Sequence, residues 1–284
     1  MKKKEKIALV IEGGGFKSVF TAGVLDSFLV NKFNPFDIYI GVSSGAMCLS
    51  YYVASQYKAY FSISKDVSVD RKFLSYRHAL SEQGYMDLNF LTKYAKKSNP
   101  LDLQKIKEST ENKQFYIVAT NLENGEPVYL EPNPKNHYKC LQATSSLPFF
   151  TKGSCEINGV NFMDGAWSDG IPAKSAVDFG ATKIIVVRPN PLGYKLSGLS
   201  YMGLAAGYWW RNNPEVSNNF FDEGSRYNES VDFLTKDNEG VEIIQICPES
   251  FLKSNVVGTS IDDLSHDYHN GLEKGMDFLN TYFQ

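Results

Sequence analysis

The sequence predicts an α/β protein of three layers, with a mostly parallel central sheet between helices and a helical part at the C-terminal end. Two observations carry this prediction. The short apolar runs at 6–11 and 36–42 each lead, through a turn that contains glycine, into a helical pattern. Two strand–turn–helix units within the first 60 residues indicate crossover connections, whose strands pair in parallel and whose helices cover the sheet.

The remaining elements follow from the same kinds of pattern. The first helix is predicted over 18–30, where apolar residues recur at helical spacing. The second is predicted over 46–56, directly after the turn "GVSSG". Later strands are expected at 113–122, 127–132, 183–190 and 241–249, and two short extended pieces around an Asn-Gly turn in 156–165 bring Asp164 to a loop. Later helices are expected at 87–97, 137–148, 172–180, from 197 with a break at Pro214, and at 260–283.

A chain of 284 residues is long enough to bury a large core. No linker, repeat or low-complexity segment divides it, so we expect a single domain over 1–284. The motif-bearing core covers about 6–190, and a C-terminal extension covers about 197–284. In the extension, Ser260 and Asp263 predict a helix start. One apolar face of that helix is expected at Leu264, Tyr268, Leu272, Met276, Leu279 and Phe283.

Composition and charge exclude some classes of protein. The net charge is -3, from 29 basic and 32 acidic residues, so no polyanion partner is indicated and nucleic acid binding is not expected. The four cysteines are scattered without metal-binding spacing, which is typical of free thiols in a reducing compartment. The first apolar run meets Glu12 after five residues, which is too short for a signal peptide. A cytoplasmic location is therefore expected.

The stretch "GVSSG" (41–45) matches the pattern G-x-S-x-G with Ser43 at its centre. A predicted strand precedes it and a predicted helix follows, which is the setting of a nucleophile elbow. There the helix N-terminus favours the negative charge that develops on an attacking serine. An ordinary Gly-Ser turn is the alternative interpretation of the same five residues.

The stretch "GGGFKS" (13–18) places Gly13, Gly14 and Gly15 at the junction of the first strand and the first helix. It lacks the third glycine of a dinucleotide fingerprint and the Gly-Lys-Ser/Thr of a P-loop. A nucleotide-binding protein, which would show measurable nucleotide affinity, is thus a poor match. The better prediction is an oxyanion hole, in which backbone N–H groups stabilise a reaction intermediate. A tight turn with close helix–sheet packing is the structural alternative.

A nucleophilic serine needs a base, and the candidates are a histidine or an aspartate. Ser43, Asp164 and His266 follow the chain order of an α/β-hydrolase triad, but Ser43 comes after only the second strand. His266 and His269 also lie in an amphipathic helical pattern, so Asp164 on a Gly-containing loop is the preferred base. An ordinary turn is the alternative for Asp164, and Asp169 in a second Asp-Gly pair is its internal control.

Taken together, the three motifs resemble the patatin-like phospholipase family. Its pattern is a Gly-rich segment with a basic residue, then G-x-S-x-G, then a distant Asp-Gly-Gly/Ala. These stand here in that order as "GGGFKS", "GVSSG" and "DGA" at 164–166. The stretches "ATSSLPFF" and "DGIP" add to the resemblance, which covers roughly residues 6–190. Ser18 departs from it, since the family has glycine at that position.

The resemblance implies a catalytic dyad without histidine, in which Ser43 is the nucleophile and Asp164 the base. It also implies an oxyanion hole at the three glycines and a substrate or anion contact at Lys17, the family's basic position. No cofactor is expected, and the bacterial members need no metal. The implied activity is hydrolysis of acyl esters in phospholipids or other lipids. The C-terminal 90 residues are poorly covered.

A lipid or acyl-ester substrate requires an apolar pocket, and it allows transient contact with a membrane surface. The stretches "SLPFF" (146–150) and "GLAAGYWW" (203–210) are candidates for both, because Trp and Tyr suit interfaces. Burial in the core explains both stretches equally well. A non-catalytic module that binds a lipid or a partner on the same scaffold is the alternative function. The sequence makes no prediction of oligomeric state.

Overall fold

A computed structural model of the chain describes residues 5–75 and 84–283, which build one central sheet of eight strands. In chain order the strands are β1 (Ile7–Ile11), β2 (Ile38–Val42), β3 (Gln114–Asn121), β4 (Pro127–Leu130), β5 (Cys155–Ile157), β6 (Val160–Asp164), β7 (Lys183–Val187) and β8 (Glu242–Ile246). Their order across the sheet is β5-β6-β3-β2-β1-β7-β8, with β4 also paired to β3. Neighbours from β3 to β8 along this order are parallel, and the pairs β3–β4, β3–β6 and β5–β6 are antiparallel.

Helices occupy most of the connections between strands. They are α1 (Ser18–Val30), α2 (Ser43–Val53), α3 (Ala59–Ser68), α4 (Leu88–Ser98), α5 (Leu103–Ser109), α6 (His137–Thr144), α7 (Ala166–Asp169), α8 (Ala173–Asp178), α9 (Tyr201–Trp209), α10 (Pro214–Phe221), α11 (Glu223–Thr235) and α12 (Ile261–Tyr282). A short 3₁₀ turn at Gly15–Lys17 precedes α1. Within the described ranges, no helix combines the length and the apolar character needed to cross a membrane.

The central strands β1 and β2 are buried on both faces, because successive strand residues point to opposite sides and helices pack against each side. In β1, Leu9 and Ile11 pack with α1, α2 and α12, whereas Ala8 and Val10 pack with α8 and α11. All five residues of β1 are buried, as expected of a central parallel strand. The predicted three-layer α/β fold is therefore confirmed.

The helix α1 differs from the expected one-sided helix, since eleven of its thirteen residues are buried. The cause is α12, which lies along α1 and covers the side that the sheet leaves free. The predicted apolar face of α12 is correct in part. Leu264, Tyr268 and Leu279 are buried, but Met276 and Phe283 are exposed.

A change of neighbour along β3 brings the two central motifs together. Val118 of β3 pairs with Val42 of β2 on one edge, and β4 occupies the other edge. At the next residue, Ala119, β4 still holds its edge while Asp164 of β6 is the second partner. A strand has only two edges, and β4 occupies one edge of β3. The strand β6 therefore pairs with the other edge of β3, starting where β2 ends. The residue after Val42 is Ser43, which thus meets Asp164.

Several element ends differ from the sequence-based boundaries. The helix α2 begins at Ser43 instead of after the turn, and α6 ends at Thr144, four residues before Pro148. Asp164 is the last residue of β6, so its predicted place on a loop is wrong by one residue. Pro214 begins α10, in agreement with the predicted break. The strand β8 joins the C-terminal part to the same sheet as the motif-bearing core.

Candidate active site

Ser43 lies on a sharp turn between β2 and α2, with a left-handed backbone at φ 51°. Small neighbours make the turn sterically accessible. A Cβ atom added at Gly41 would lie 2.6 Å from Cα of Ala46, and one at Gly45 would lie 2.5 Å from the carbonyl oxygen of Glu12. Such contacts exclude larger side chains at both glycines. The left-handed serine and its glycines therefore have the geometry of a nucleophile elbow.

The Ser43 hydroxyl donates a hydrogen bond to the Asp164 carboxylate, with 2.7 Å between Oγ and Oδ2. The other carboxylate oxygen, Oδ1, accepts the backbone N–H of Ala166 at 2.9 Å. Asp164 is only 1% exposed. The two side chains are thus in direct contact, without any intervening group, which is the arrangement that a serine nucleophile and its base require.

Burial governs the acidity of Asp164. Removal from water raises the pKa of its carboxyl group from 3.8 to about 7, and the hydrogen bonds from Ser43 and Ala166 oppose that rise only in part. A carboxylate with a pKa near neutrality is a much stronger base than an exposed one. A carboxylate with such a pKa is chemically able to accept the proton of a serine hydroxyl.

Asp169 shows what an aspartate in the same sequence context does without contact with Ser43. Its carboxylate accepts the hydroxyl groups of Tyr129 at 2.6 Å and Ser175 at 2.8 Å, and burial raises the pKa of its carboxyl group. These contacts tie β4 to α8. Burial alone thus does not distinguish the two aspartates, whereas contact with Ser43 does.

The described histidines lie away from the Ser43–Asp164 pair. His137 is buried, its Nε2 lies 2.8 Å from Oγ of Ser50, and burial lowers its pKa to about 4. His266 is half-exposed on α12, where its Nδ1 lies 3.2 Å from Oδ1 of Asp267. His78 is outside the described residues. No histidine in the described part of the chain contacts Ser43.

The three glycines of "GGGFKS" have different surroundings. A Cβ atom added at Gly13 would lie 2.9 Å from Cβ of Ser43, so this glycine permits close approach of the loop to Ser43. The N–H of Gly14 donates to Oγ of Ser44 at 3.0 Å. Gly15 has φ +58° and lines the cavity beside Ser43. Among described residues, the N–H groups of Gly13 and Gly15 have no hydrogen-bond partner.

Lys17 and Ser18 follow the glycines and face different groups. The ammonium group of Lys17 donates to Oδ1 of Asn190, and burial lowers its pKa while the carboxylates of Glu12 and Asp267 oppose that shift. Lys17 is not among the described residues that line the cavity. Its predicted contact with substrate stays a prediction. The Ser18 hydroxyl lies 2.7 Å from that of Ser44.

Ser18, the one departure from the family pattern, is therefore part of the hydrogen-bonding around the glycines. Ser44 bonds both to the Ser18 hydroxyl and to the N–H of Gly14, which fixes the loop against α2. A glycine at position 18 would offer no such partner. Ser18 therefore adds a contact that glycine could not make.

An apolar cavity of about 100 Å³ lies beside Ser43. None of the side chains that line its described walls is charged. The Oγ atom of Ser145, on these walls, is buried and has no hydrogen-bond partner among the described residues. The walls come mainly from four helices and include Met47 and Tyr51 on α2, Ile63 and Val67 on α3, Leu91 and Ala95 on α4, and Tyr138 and Leu141 on α6.

Thr144 and a buried ion pair hold the backbone around the site, and no sequence motif predicted a role for either. The Thr144 hydroxyl accepts the N–H of Ser43 at 2.7 Å and donates to the carbonyl oxygen of Val118. Behind the glycines, Glu12 and Arg188 form an ion pair at 2.9 Å, both buried. The only sequence signal was the stretch "ATSSLPFF", which supported the family resemblance without indicating a contact.

No group of three His, Cys, Asp or Glu side chains within 5–75 and 84–283 is arranged to hold a metal ion. The described site consists of a serine, an aspartate, free backbone N–H groups and an apolar cavity. This set can bind an acyl chain and attack its carbonyl group without a metal ligand.

Comparison with known proteins identifies the family. The profile described as patatin-like phospholipase matches residues 9–177, and a domain of unknown function, DUF6363, matches residues 213–284. The uncharacterized protein YjjU of Escherichia coli K12 is 30% identical over 277 residues, which are 97% of this chain and 78% of YjjU. The chain thus belongs to the patatin-like phospholipase family, as the three motifs predicted.

A solved structure supports the same fold. VipD from Legionella pneumophila aligns with a TM-score of 0.54 and 11% identity, over 98% of this chain and 67% of VipD. At that identity the similarity concerns the fold alone. The family match is what supports a lipid hydrolase, and the individual site residues rest on their geometry.

Proposed function

We propose that the protein is a serine acyl hydrolase that cleaves the acyl esters of lipids. The observation that carries the proposal is the 2.7 Å hydrogen bond from Ser43 to the buried Asp164, beside an apolar cavity. The family match supports the class of substrate. No observation favours the alternative of a non-catalytic binding module.

The chemistry follows from these contacts. Ser43 Oγ attacks the ester carbonyl carbon as its proton passes to Asp164 Oδ2, and the carbonyl oxygen becomes a negatively charged oxyanion. The intermediate then expels the alcohol, which takes the proton from Asp164, and leaves an acyl-enzyme. Asp164 next removes a proton from water, whose oxygen attacks the acyl carbon. Release of the fatty acid returns the proton to Ser43.

The oxyanion requires hydrogen-bond donors that are free and close to Ser43. We assign this role to the N–H groups of Gly13 and Gly15, with the N-terminal end of α2 adding a favourable dipole. Gly14 would join them only by releasing Ser44, so its predicted part in the oxyanion hole stays a prediction.

The cavity suits the acyl chain, because its walls are apolar and Ser43 lies among them. The unpartnered hydroxyl group of Ser145 is available to bind a polar atom of the ester. Burying each methylene group of a chain contributes about 0.8 kcal/mol, so binding should strengthen as the chain grows until the cavity is full.

The proposal is tested by measuring acid release from p-nitrophenyl esters of increasing chain length and from phospholipid vesicles. We expect turnover, with kcat/KM rising about fourfold per methylene group over the short chains. Release of acid from none of these esters would contradict the proposed function. Equal rates for acetate and longer esters would contradict the assignment of the cavity.

We further propose that the predicted stretch around 203–210 meets a lipid surface. On α9 the exposed residues are apolar, with Tyr201 95% and Trp209 69% exposed. The ring of Trp209 lies 6.3 Å from that of Phe149, and Leu147, two residues earlier, lines the cavity. The exposed aromatic face therefore continues into the cavity wall. The sequence predicts a cytoplasmic location. From the cytoplasm, the aromatic face of α9 would meet the inner surface of the membrane.

Replacing Tyr208 and Trp209 together by serine should weaken binding to anionic vesicles by about tenfold or more, because two interfacial aromatic side chains are lost. Hydrolysis of a short soluble ester should be unchanged. Vesicle co-sedimentation measures the first effect, and the initial rate on a short soluble ester measures the second. Phe283→Ser, which removes an exposed aromatic side chain beyond α12, is the control and should leave both unchanged. Unaltered vesicle binding in the double variant would contradict the contact.

A further inference from the structure

We infer that the C-terminal segment 213–284, which matches a domain of unknown function, positions the glycine loop Gly13–Gly15 for oxyanion binding. This inference rests on the proposed function and assigns that segment a role in it. Tyr227, Val256 and Asp267 carry the role: Val256 contacts the residue after Gly15, Tyr227 contacts the residue before Gly13, and Asp267 holds the segment that carries Val256. They are positioning residues, since they act through the loop backbone.

The first contact lies directly on the loop. The carbonyl oxygen of Val256 accepts the N–H of Phe16 at 3.2 Å. It also closes the space over Gly15, where an added Cβ atom would lie 2.1 Å from that oxygen. The peptide unit between Gly15 and Phe16 is therefore held against the C-terminal segment. Because Val256 also lines the cavity, the same segment forms part of the acyl-chain wall.

Asp267 on α12 holds the segment that carries Val256. Its buried carboxylate accepts the N–H groups of Lys253 at 3.2 Å and Ser254 at 2.7 Å, together with the Ser254 hydroxyl group. Three donors from two adjacent residues fix the path of the chain just before Val256. Loss of this carboxylate would free residues 253–256, and with them the support of Gly15.

The helix α12 is itself fixed to the helix that begins at the loop. Its backbone touches α1 without intervening side chains. An added Cβ atom at Gly23 would lie 2.2 Å from the carbonyl oxygen of Tyr268, and one at Gly271 would lie 2.0 Å from that of Phe20. Since α1 continues directly from Lys17, the position of α12 and that of the glycine loop are coupled.

A further contact holds the other end of the loop. The hydroxyl group of Tyr227, on α11, donates to Oε1 of Glu12 at 2.7 Å, and Arg188 contacts Oε2 of the same carboxylate at 2.9 Å. Glu12 immediately precedes Gly13. The C-terminal segment thus contacts the residue before the glycines and the residue after them. This two-sided support fixes the direction in which the glycine N–H groups point.

The test is the Asp267→Asn variant in the full-length protein. We expect kcat on a soluble ester to fall by about 10- to 100-fold with a smaller change in KM, since the oxyanion donors lose their alignment while the four helices that form most of the cavity wall remain in place. The pH midpoint of activity should stay at its wild-type value, because Asp164 is untouched. Amide hydrogen exchange in the peptide covering 12–17 should become faster. Tyr227→Phe should reproduce these changes through the other contact.

Asp263→Asn is the matched control, because Asp263 lies one turn earlier on α12 and, within the described part of the chain, its carboxylate bonds only to Ser260 near the helix start. It should leave kcat and exchange at 12–17 unchanged. Unaltered kcat and exchange in Asp267→Asn, in an active protein, would overturn the inference. If the wild-type protein hydrolyses no ester, the proposed function fails, whereas exchange at 12–17 still decides whether the segment holds the loop.

Discussion

Replacing Ser43 by alanine is expected to lower ester turnover by about 10⁴- to 10⁶-fold, because the attacking oxygen is removed. The fold should persist. Alanine keeps the Cβ atom, so the left-handed backbone at φ 51° carries the same strain as in the wild-type protein. The N–H that donates to Thr144 is also retained. Initial rates on a short p-nitrophenyl ester and on phospholipid vesicles measure the loss.

Ser50→Ala is the control for Ser43→Ala. Ser50 is another buried serine on α2, and its hydroxyl bonds to the Ala46 carbonyl and contacts His137. Its removal should cost about 1 kcal/mol of stability without lowering kcat at a temperature well below unfolding. Turnover that survives in Ser43→Ala at the wild-type rate would show that the nucleophile is another residue.

Replacing Asp164 by asparagine is expected to lower kcat by about 10³- to 10⁴-fold, since the amide cannot accept the Ser43 proton. In the wild-type protein, kcat/KM should rise with pH and level off above about 7, because the carboxyl group must be ionised to act as a base. The residual activity of the variant should lose this midpoint. Steady-state rates between pH 5 and pH 9 on a neutral ester measure both effects.

The same substitution should change the pH dependence of stability. In the folded protein the pKa of Asp164 is raised from 3.8 to about 7, so the folded state binds the proton more tightly than the unfolded state. Its contribution to stability is therefore fully present below about pH 4 and is lost as pH rises from about 4 through about 7. Asp164→Asn lacks this loss, and its stability relative to wild type should increase by up to about 4 kcal/mol across that window. Urea unfolding at several pH values measures the difference.

Asp169→Asn separates burial from catalysis. Asp169 is also a buried aspartate with a raised pKa, but its partners are Tyr129 and Ser175. It should alter stability while leaving kcat and its pH midpoint unchanged. Equal losses of turnover in the two aspartate variants would contradict a specific role for Asp164.

Much of the fold could be predicted because its patterns are local. The strand β1 is a continuous apolar run, and the glycines of "GVSSG" alone predict a turn. The last helix shows its start through Ser260, whose hydroxyl accepts the N–H of Asp263 as predicted. The ends of helices and strands are not predictable from the local pattern where a side chain outside the segment decides them. The start of α2 at Ser43 depends on Thr144, which is 101 residues away along the chain.

The site was predictable in its residue types but not in its supports. Motif spacing indicated Ser43 and Asp164, although their contact arises from the change of neighbour on β3. The role of the C-terminal part had no local signal. Val256 acts through a backbone carbonyl, which any residue carries, and Asp267 is one of many acidic residues in a polar stretch. Such long-range contacts between unremarkable residues appear only in three dimensions.

The central claim is that Ser43 Oγ attacks an acyl carbon with Asp164 as its base. The most direct measurement is reaction with a long-chain alkyl fluorophosphonate, whose fluoride a nucleophilic serine displaces, followed by intact mass and peptide mapping. We expect one adduct per chain, on Ser43, formed much more slowly in Asp164→Asn. An adduct on another residue with Ser43 unmodified, or no adduct in a folded protein, would contradict the claim.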